Sequence, residues 1–238
     1  MDDKRASIQK YFNSKFPKWA AWFVGIGALI GIPAMSSPDG GGAVVFGLIM
    51  AAIGGLGIYS YTNTVSDHQI DEWTKEDLSS LDKRALKKVG VDESELVGEQ
   101  AIIFGPADFS VMKVGKDKRI RFGRLRGMVV NFGQHQLLVY TCTMDITTGN
   151  TLHESTDEYF YRDVVSVSTK TRDGQVGNMR LAEGEYFTLT TSGGTAAEIF
   201  LHSPEIGKQF GGDMPATDAE RQIQSIRKML REKKMATV

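Results

Sequence analysis

Cysteine is almost missing from this chain: Cys142 is the single one among 238 residues. A disulfide framework needs pairs and a Cys-rich zinc site needs several thiolates, so both are excluded, and one thiol suits a reducing compartment. Strong net charge is missing too, at −1. General nucleic-acid binders carry a basic excess, so nucleic acid is not an expected partner and any electrostatic partner must meet a local patch. The spacings that carry chemistry are also absent. His68, His135, His153 and His202 show no zinc-ligand spacing with one another or with Cys142, and His153-Glu154 is not the paired-histidine helix motif of metalloproteases. Gly123-Arg124-Leu125-Arg126-Gly127 and Gly211-Gly212 lack the strand–loop–helix setting of a phosphate loop. Cys142 lies in an apolar alternation, which points to a core thiol rather than a nucleophile. No metal, no cofactor and no catalytic constellation is expected.

Charge is absent along one long stretch. Residues 19–38 carry no charged side chain, Asp39 interrupts, and 40–66 are again uncharged. At about 1.5 Å of rise per residue, roughly twenty helical residues cross a hydrocarbon core about 30 Å thick. The run Ser36-Ser37-Pro38-Asp39-Gly40-Gly41-Gly42 breaks a helix, so two membrane-spanning helices joined by a tight turn are expected. Lys4, Arg5, Lys10, Lys15 and Lys18 precede the first span. Lys75, Lys83, Arg84, Lys87 and Lys88 follow the second, and the turn holds no Lys or Arg. The positive-inside rule then places both termini in the cytoplasm, with Trp19, Trp22, Tyr59 and Tyr61 at the cytoplasmic interface. A competing reading is a cleaved signal peptide with a small-residue site at Ala34-Met35-Ser36, and the long charged leader and second apolar run weigh against it.

Small residues recur within the spans. Gly27 and Gly31 lie on one face of the first, and Gly47, Ala51 and Gly55 line the second, as close helix packing requires. These stripes close the hairpin on itself, or part of the surface including Gly54 and Gly57 faces another subunit. Before the spans, Ile8, Tyr11, Phe12 and Phe16 share a helical face opposite Lys and Arg; this is either a helix lying in the membrane surface or a frayed leader. Pro17 suits the start of the first span.

The expected organisation is a basic juxtamembrane segment at 1–18, a two-helix hairpin at 19–63, a helical connector at 64–96 and a β domain at 97–238. In the connector, Thr74 with Asp77 reads as a helix start, Leu78, Leu81, Leu86 and Val89 as its apolar face, Gly90 as its end, and Asp92 with Glu95 as a further cap. From Ala101 the period changes to that of strands. Leu138, Tyr140, Cys142, Met144 and Ile146 alternate as a strand with one buried face, and Thr148-Gly149-Asn150 turns the chain. Tyr159, Tyr161, Val165 and Val167 share a two-residue period, and Arg172-Asp173-Gly174 reads as a turn. Residues 186–191 and 196–201 form a hairpin across Ser192-Gly193-Gly194. A final helix is expected from a capping box of Thr217 and Glu220, with Ala219, Ile223, Ile226 and Leu230 as its seam. Arg231, Lys233 and Lys234 lie where its dipole favours cations, and Arg221, Arg227 and Lys228 lie on its free face. The fold class is an α+β membrane protein: a helical hairpin, then an antiparallel β barrel or sandwich with a C-terminal amphipathic helix.

About seven short strands followed by one helix, with Glu158-Tyr159-Phe160-Tyr161-Arg162-Asp163-Val164-Val165-Ser166-Val167 among them, resembles the pleckstrin-homology-like superfold over 97–234, including its GRAM and bacterial relatives. Lys113, Arg119 and Arg121 match the basic spacing that phosphoinositide-binding members place between their first two strands, and Lys116, Lys118, Arg124 and Arg126 add to it. The resemblance implies a site for anionic head groups or a partner there, and Arg suits phosphate through bidentate bonding. The final helix lacks the tryptophan common in eukaryotic members. The expectation is a non-catalytic interaction module on a membrane, the bacterial inner membrane by that likeness, with lipids, a protein partner or a second copy as partners. Two alternatives remain. One is an enzyme whose His135, His153, Asp157 and Glu158 converge in space, and the other is an oligomeric pore. Neither span holds an ionisable residue that would mark an ion path.

Overall fold

The computed structural model describes every residue except 1, 15, 38, 63, 215–217 and 236–238. Lys15 of the basic flank, Pro38 of the turn and Thr217 of the expected capping box therefore lie outside the described residues. The chain divides into two compact units, Met1–Ser66 and Asp67–Val238.

The first unit holds α1 (Asp2–Asn13), α2 (Lys18–Ala34) and α3 (Gly41–Thr62). Gly41–Tyr61 is long and apolar enough to cross a membrane. α2 has 17 residues, or about 26 Å of helix, somewhat short of a hydrocarbon core about 30 Å thick. The two helices meet along small residues. A methyl group on Gly27 would lie 2.6 Å from the Gly47 carbonyl oxygen, and one on Gly54 would lie 2.5 Å from that of Ala20. The seam thus runs through Ala20, Gly27 and Gly31 on α2 and Gly47, Ala51 and Gly54 on α3. Seven-residue steps from 20 to 27 and from 47 to 54 keep it on one side of each helix. This corrects two expectations. Gly55 faces open space, because two successive four-residue steps from Gly47 advance about 80° around the helix, and Gly54 and Gly57 pack against α2 rather than facing outward. In α1, Ile8 and Tyr11 are buried, so that part of the face expected to rest in head groups is covered by protein, whereas Phe12 is half-buried and Phe16, beyond the helix, is exposed.

The second unit opens with α4 (Asp67–Ser79) and α5 (Leu81–Val89). The helix starts at Asp67, seven residues before Thr74, which lies inside it. Gly90 ends α5 in the left-handed conformation at φ 79°, as glycine does most readily. Asp92 N–H donates to Glu95 Oε1 at 2.9 Å across a short 3₁₀ turn. Ile70, Leu81 and Ala85 are buried. Residues 67–96 therefore belong to the folded unit and not to a separate connector.

Among the described residues nine strands follow: β1 (Ala101–Pro106), β2 (Met112–Val114), β3 (Ile120–Phe122), β4 (Arg124–Phe132), β5 (Gln136–Asp145), β6 (Asn150–Phe160), β7 (Val164–Val176), β8 (Met179–Thr191) and β9 (Ala196–His202). They pair antiparallel as β1-β4-β5-β6, β2-β3 and β7-β8-β9. Two further helices are α6 (Pro204–Phe210) and α7 (Ala219–Met235). The two larger sheets meet where β1 passes β9. A methyl on Gly105 would run into the Phe200 carbonyl, so only glycine permits that approach. Between the sheets lie Ile103, Met128, Val130, Phe132, Val139, Phe187, Leu189 and Ile199, and α7 closes this core with Ala219, Ile223, Ile226 and Leu230. That seam falls on the four residues expected from the sequence.

β5 departs from expectation in being buried on both faces. Leu137 and Val139 face the inter-sheet core, while Leu138, Tyr140 and Cys142 are covered on the other side, where α5 packs on β4 and β5. The chain also changes phase between Tyr161 and Val165. A 3₁₀ turn at Tyr161–Asp163 and a bulge between Val164 and Ser166 turn Val164 inward and Val165 out. Arg172-Asp173-Gly174 is a second bulge within β7 and not a turn. The reversal comes at Gly177-Asn178, with Gly177 at φ 58°.

Candidate functional site

The basic stretch 113–126 occupies β2, β3, their turn and the start of β4, and its cations divide. Arg121 is only 7% exposed. Its Nε and Nη2 donate to the two oxygens of Asp71 at 2.7 Å each. Its Nη1 and Nη2 also donate to Asp117 at 2.9 and 2.8 Å. Asp67 stands 4.0 Å away and takes the Lys116 N–H at 2.7 Å. Hydrogen bonding from Arg121 holds the Asp117 carboxyl well below the usual carboxylate range. Arg124 donates to Asp145 at 3.1 Å and Asp108 at 3.4 Å. Burial pulls the ammonium pKa of Lys113 down. Lys116, Lys118, Arg119 and Arg126 are exposed. Lys118 is a turn residue at φ 61°, and the backbone around Arg119 runs alongside that of Asp213, with the Ile120 N–H donating to the Asp213 carbonyl and the Asp213 N–H to the Lys118 carbonyl. Arg121, with Asp71 on one side and Asp117 on the other, forms a clasp between α4 and the β2–β3 hairpin, while Lys116, Lys118, Arg119 and Arg126 stay on the surface.

A second clasp holds α5. Glu154 on β6 accepts from Arg84 Nε and the Tyr140 hydroxyl at 2.5 Å each, and from Lys88 Nζ at 2.9 Å. The bond from Arg84 lowers the Glu154 pKa, while burial first, then Glu154, raises that of Tyr140. Burial likewise raises the Cys142 thiol, leaving it a poor nucleophile.

Cations are less matched by acids where β6, the Tyr161 turn, the start of β7 and the last turns of α7 converge. Lys234 Nζ donates to the Val164 carbonyl, and Lys233 Nζ stands 6.0 Å from the Tyr161 ring centre. The Arg162 guanidinium lies 5.6 Å over Phe160. Tyr161 anchors the turn: its hydroxyl donates to the Gly133 carbonyl at 2.9 Å, and burial pushes its pKa up to about 12. An open groove of about 280 Å³ is lined by Val164, Val165 and Val167 of β7 and by Arg227, Leu230, Arg231 and Lys234 of α7. Sequence reading placed Arg231, Lys233 and Lys234 together at a helix end but not beside Arg162. Only the fold joins 160–165 to the end of α7.

No family model, curated protein or solved structure matches the chain. The residues of the enzyme alternative stay apart. Asp157 and Glu158 stand opposite Val139 and Leu138 on β5, on opposite faces of β6. His153 lies about 13 Å along the strand from Asp157, at a rise of roughly 3.3 Å per residue, and His135 sits in the turn before β5. Among the described residues no group of three or more His, Cys, Asp or Glu side chains could hold a metal ion.

Proposed function

We propose that this chain is a membrane-anchored, non-catalytic interaction module whose second unit is a pleckstrin-homology-like domain on the cytoplasmic side. The observation that carries the anchor is the outside of the first unit. Trp22, Leu29, Ile32, Val45, Leu48 and Ile49 are exposed on helices whose small residues already face one another. Water penalises so continuous an apolar exterior, and lipid accepts it. Strand order supports the domain reading. With β2–β3 set aside as an insertion, β1-β4-β5-β6 is a four-stranded meander, β7-β8-β9 a three-stranded one, and a helix closes the core. The insertion falls between the first two strands of the larger sheet, where the resembling family carries its basic loop. Here Arg121 and Arg124 are held in internal ion pairs while Lys116, Lys118, Arg119 and Arg126 stay exposed, so this stretch is one candidate surface for partners and the α7 end, where exposed apolar residues join the cations, is the other.

Two measurements test the anchor and its direction. The full chain is expected to stay in the membrane pellet after alkaline carbonate extraction. In a Cys142→Ala background, Ser36→Cys is expected to react with a membrane-impermeant maleimide on intact cells. Release by carbonate, or a Ser36→Cys thiol that labels only after lysis, would overturn the anchored arrangement.

A further inference from the structure

The second unit has few large apolar side chains in solvent. Of those exposed among its described residues, Phe160 (44%), Val165 (61%) and Met235 (73%) gather at the end of the domain built by the Tyr161 turn and the last turn of α7, and Leu152 alone lies elsewhere. Scattered exposed hydrophobes need no explanation, but three around one cationic end form a patch. Arg162, Arg231 and Lys233 flank them; the nearby acids are Asp163, Glu232 and, two and three residues before Phe160 on β6, Glu158 and Asp157. The pairs that Asp163 and Glu232 make, Arg162–Asp163 at 3.8 Å and Lys228–Glu232 at 3.9 Å, are long and exposed. Apolar tips ringed by cations match an interface in which hydrocarbon lies beneath anionic head groups.

We infer that this end of the domain docks on an anionic bilayer surface, inserting Phe160, Val165 and Met235 while Arg162, Arg231 and Lys233 meet head-group phosphates. The inference rests on the anchored reading and specifies its ligand: four residues, 63–66, separate α3 from α4, so a bilayer is always within reach at high effective concentration. An extended peptide fits less well. The bulge at Val165 breaks the regular ladder, and Lys234 already occupies the Val164 carbonyl that an added strand would use.

The test uses the full chain in vesicles, with Cys142→Ala and an environment-sensitive fluorophore on Val165→Cys. Asn150→Cys, at the opposite end of β6, serves as control. With phosphatidylglycerol present, the Val165 label is expected to shift to the blue and to be quenched by spin-labelled lipid. In pure phosphatidylcholine, or for the Asn150 label, neither is expected. Salt of about 1 M should reverse the shift, because it contracts screening to about 3 Å. Each of Arg162→Glu, Arg231→Glu and Lys233→Glu should lower the docked-to-free ratio roughly fivefold or more, and Arg231→Lys should retain docking. A Val165 label indifferent to lipid charge, on a chain that still floats with the vesicles, overturns the inference and leaves the anchor standing. Failure to float overturns the anchor itself. Protection of Val165→Cys in native membranes alone, without a response to vesicles, overturns lipid docking in favour of a protein partner.

Discussion

At Arg121 a planar guanidinium lies between two carboxylates, each taking two of its N–H bonds. Forked pairing of this kind is strong because geometry and charge act together. Removing the arginine leaves Asp67, Asp71 and Asp117 facing one another. Arg121→Ala should therefore destabilise the second unit by about 2–4 kcal/mol at pH 7, nearer the lower figure because the carboxylates are partly exposed. Arg121→Lys should recover only part of this, since an ammonium cannot fork. The pH dependence follows from Asp117, whose folded pKa is depressed. Its contribution is present above the unfolded carboxylate value of about 3.9 and is lost as pH falls through the folded value. The gap between wild type and Arg121→Ala should thus narrow steadily below about pH 4. Urea unfolding of both proteins in the same detergent at pH 7 and pH 3 checks this, and a gap that widens in acid would refute it.

The seam between α2 and α3 has backbone against backbone, so its tolerance is set by single methyl groups. Gly47→Leu should cost about 1–3 kcal/mol through overpacking, because any Cβ there would lie 2.7 Å from the Gly27 carbonyl oxygen. Gly55→Leu should be close to neutral, as that position faces open space. Unfolding in mixed micelles of rising dodecyl sulfate content separates the two. The same contrast tells what could be read from sequence. Small residues were plain to see, yet choosing between Gly54 and Gly55 needed the position of the partner helix. α7 was legible because four apolar positions recur at helical spacing and the inter-sheet core uses all four. Arg172-Asp173-Gly174 has turn chemistry but serves as a bulge, and its glycine makes room for the Tyr186 ring, a contact across the sheet. α6 was missed although Ser203 caps it and Pro204 occupies its first turn, a signal present in the letters. Of the basic stretch, the cations were legible and their acids were not. Asp67 and Asp71 lie some fifty positions earlier on a helix taken for a connector.

For the molecule as a whole, the division at Ser66 and Asp67, taken with the proposed anchor, predicts that retention and folding of the second unit are separable. Ile226 is fully buried in the inter-sheet core. Ile226→Asp, which places a carboxylate there, should unfold the second unit while the chain stays with the membrane after carbonate treatment. Loss of retention in this variant would mean that the units do not stand independently. Lys234 has a wider consequence. Its ammonium sits on the Val164 carbonyl at the margin of the β7-β8-β9 sheet. A protein confined to a leaflet meets copies of itself far more often than one diffusing in three dimensions, and an open strand margin invites those copies to zip together. On the anchored reading, a charged plug at the first rung of that margin opposes such pairing.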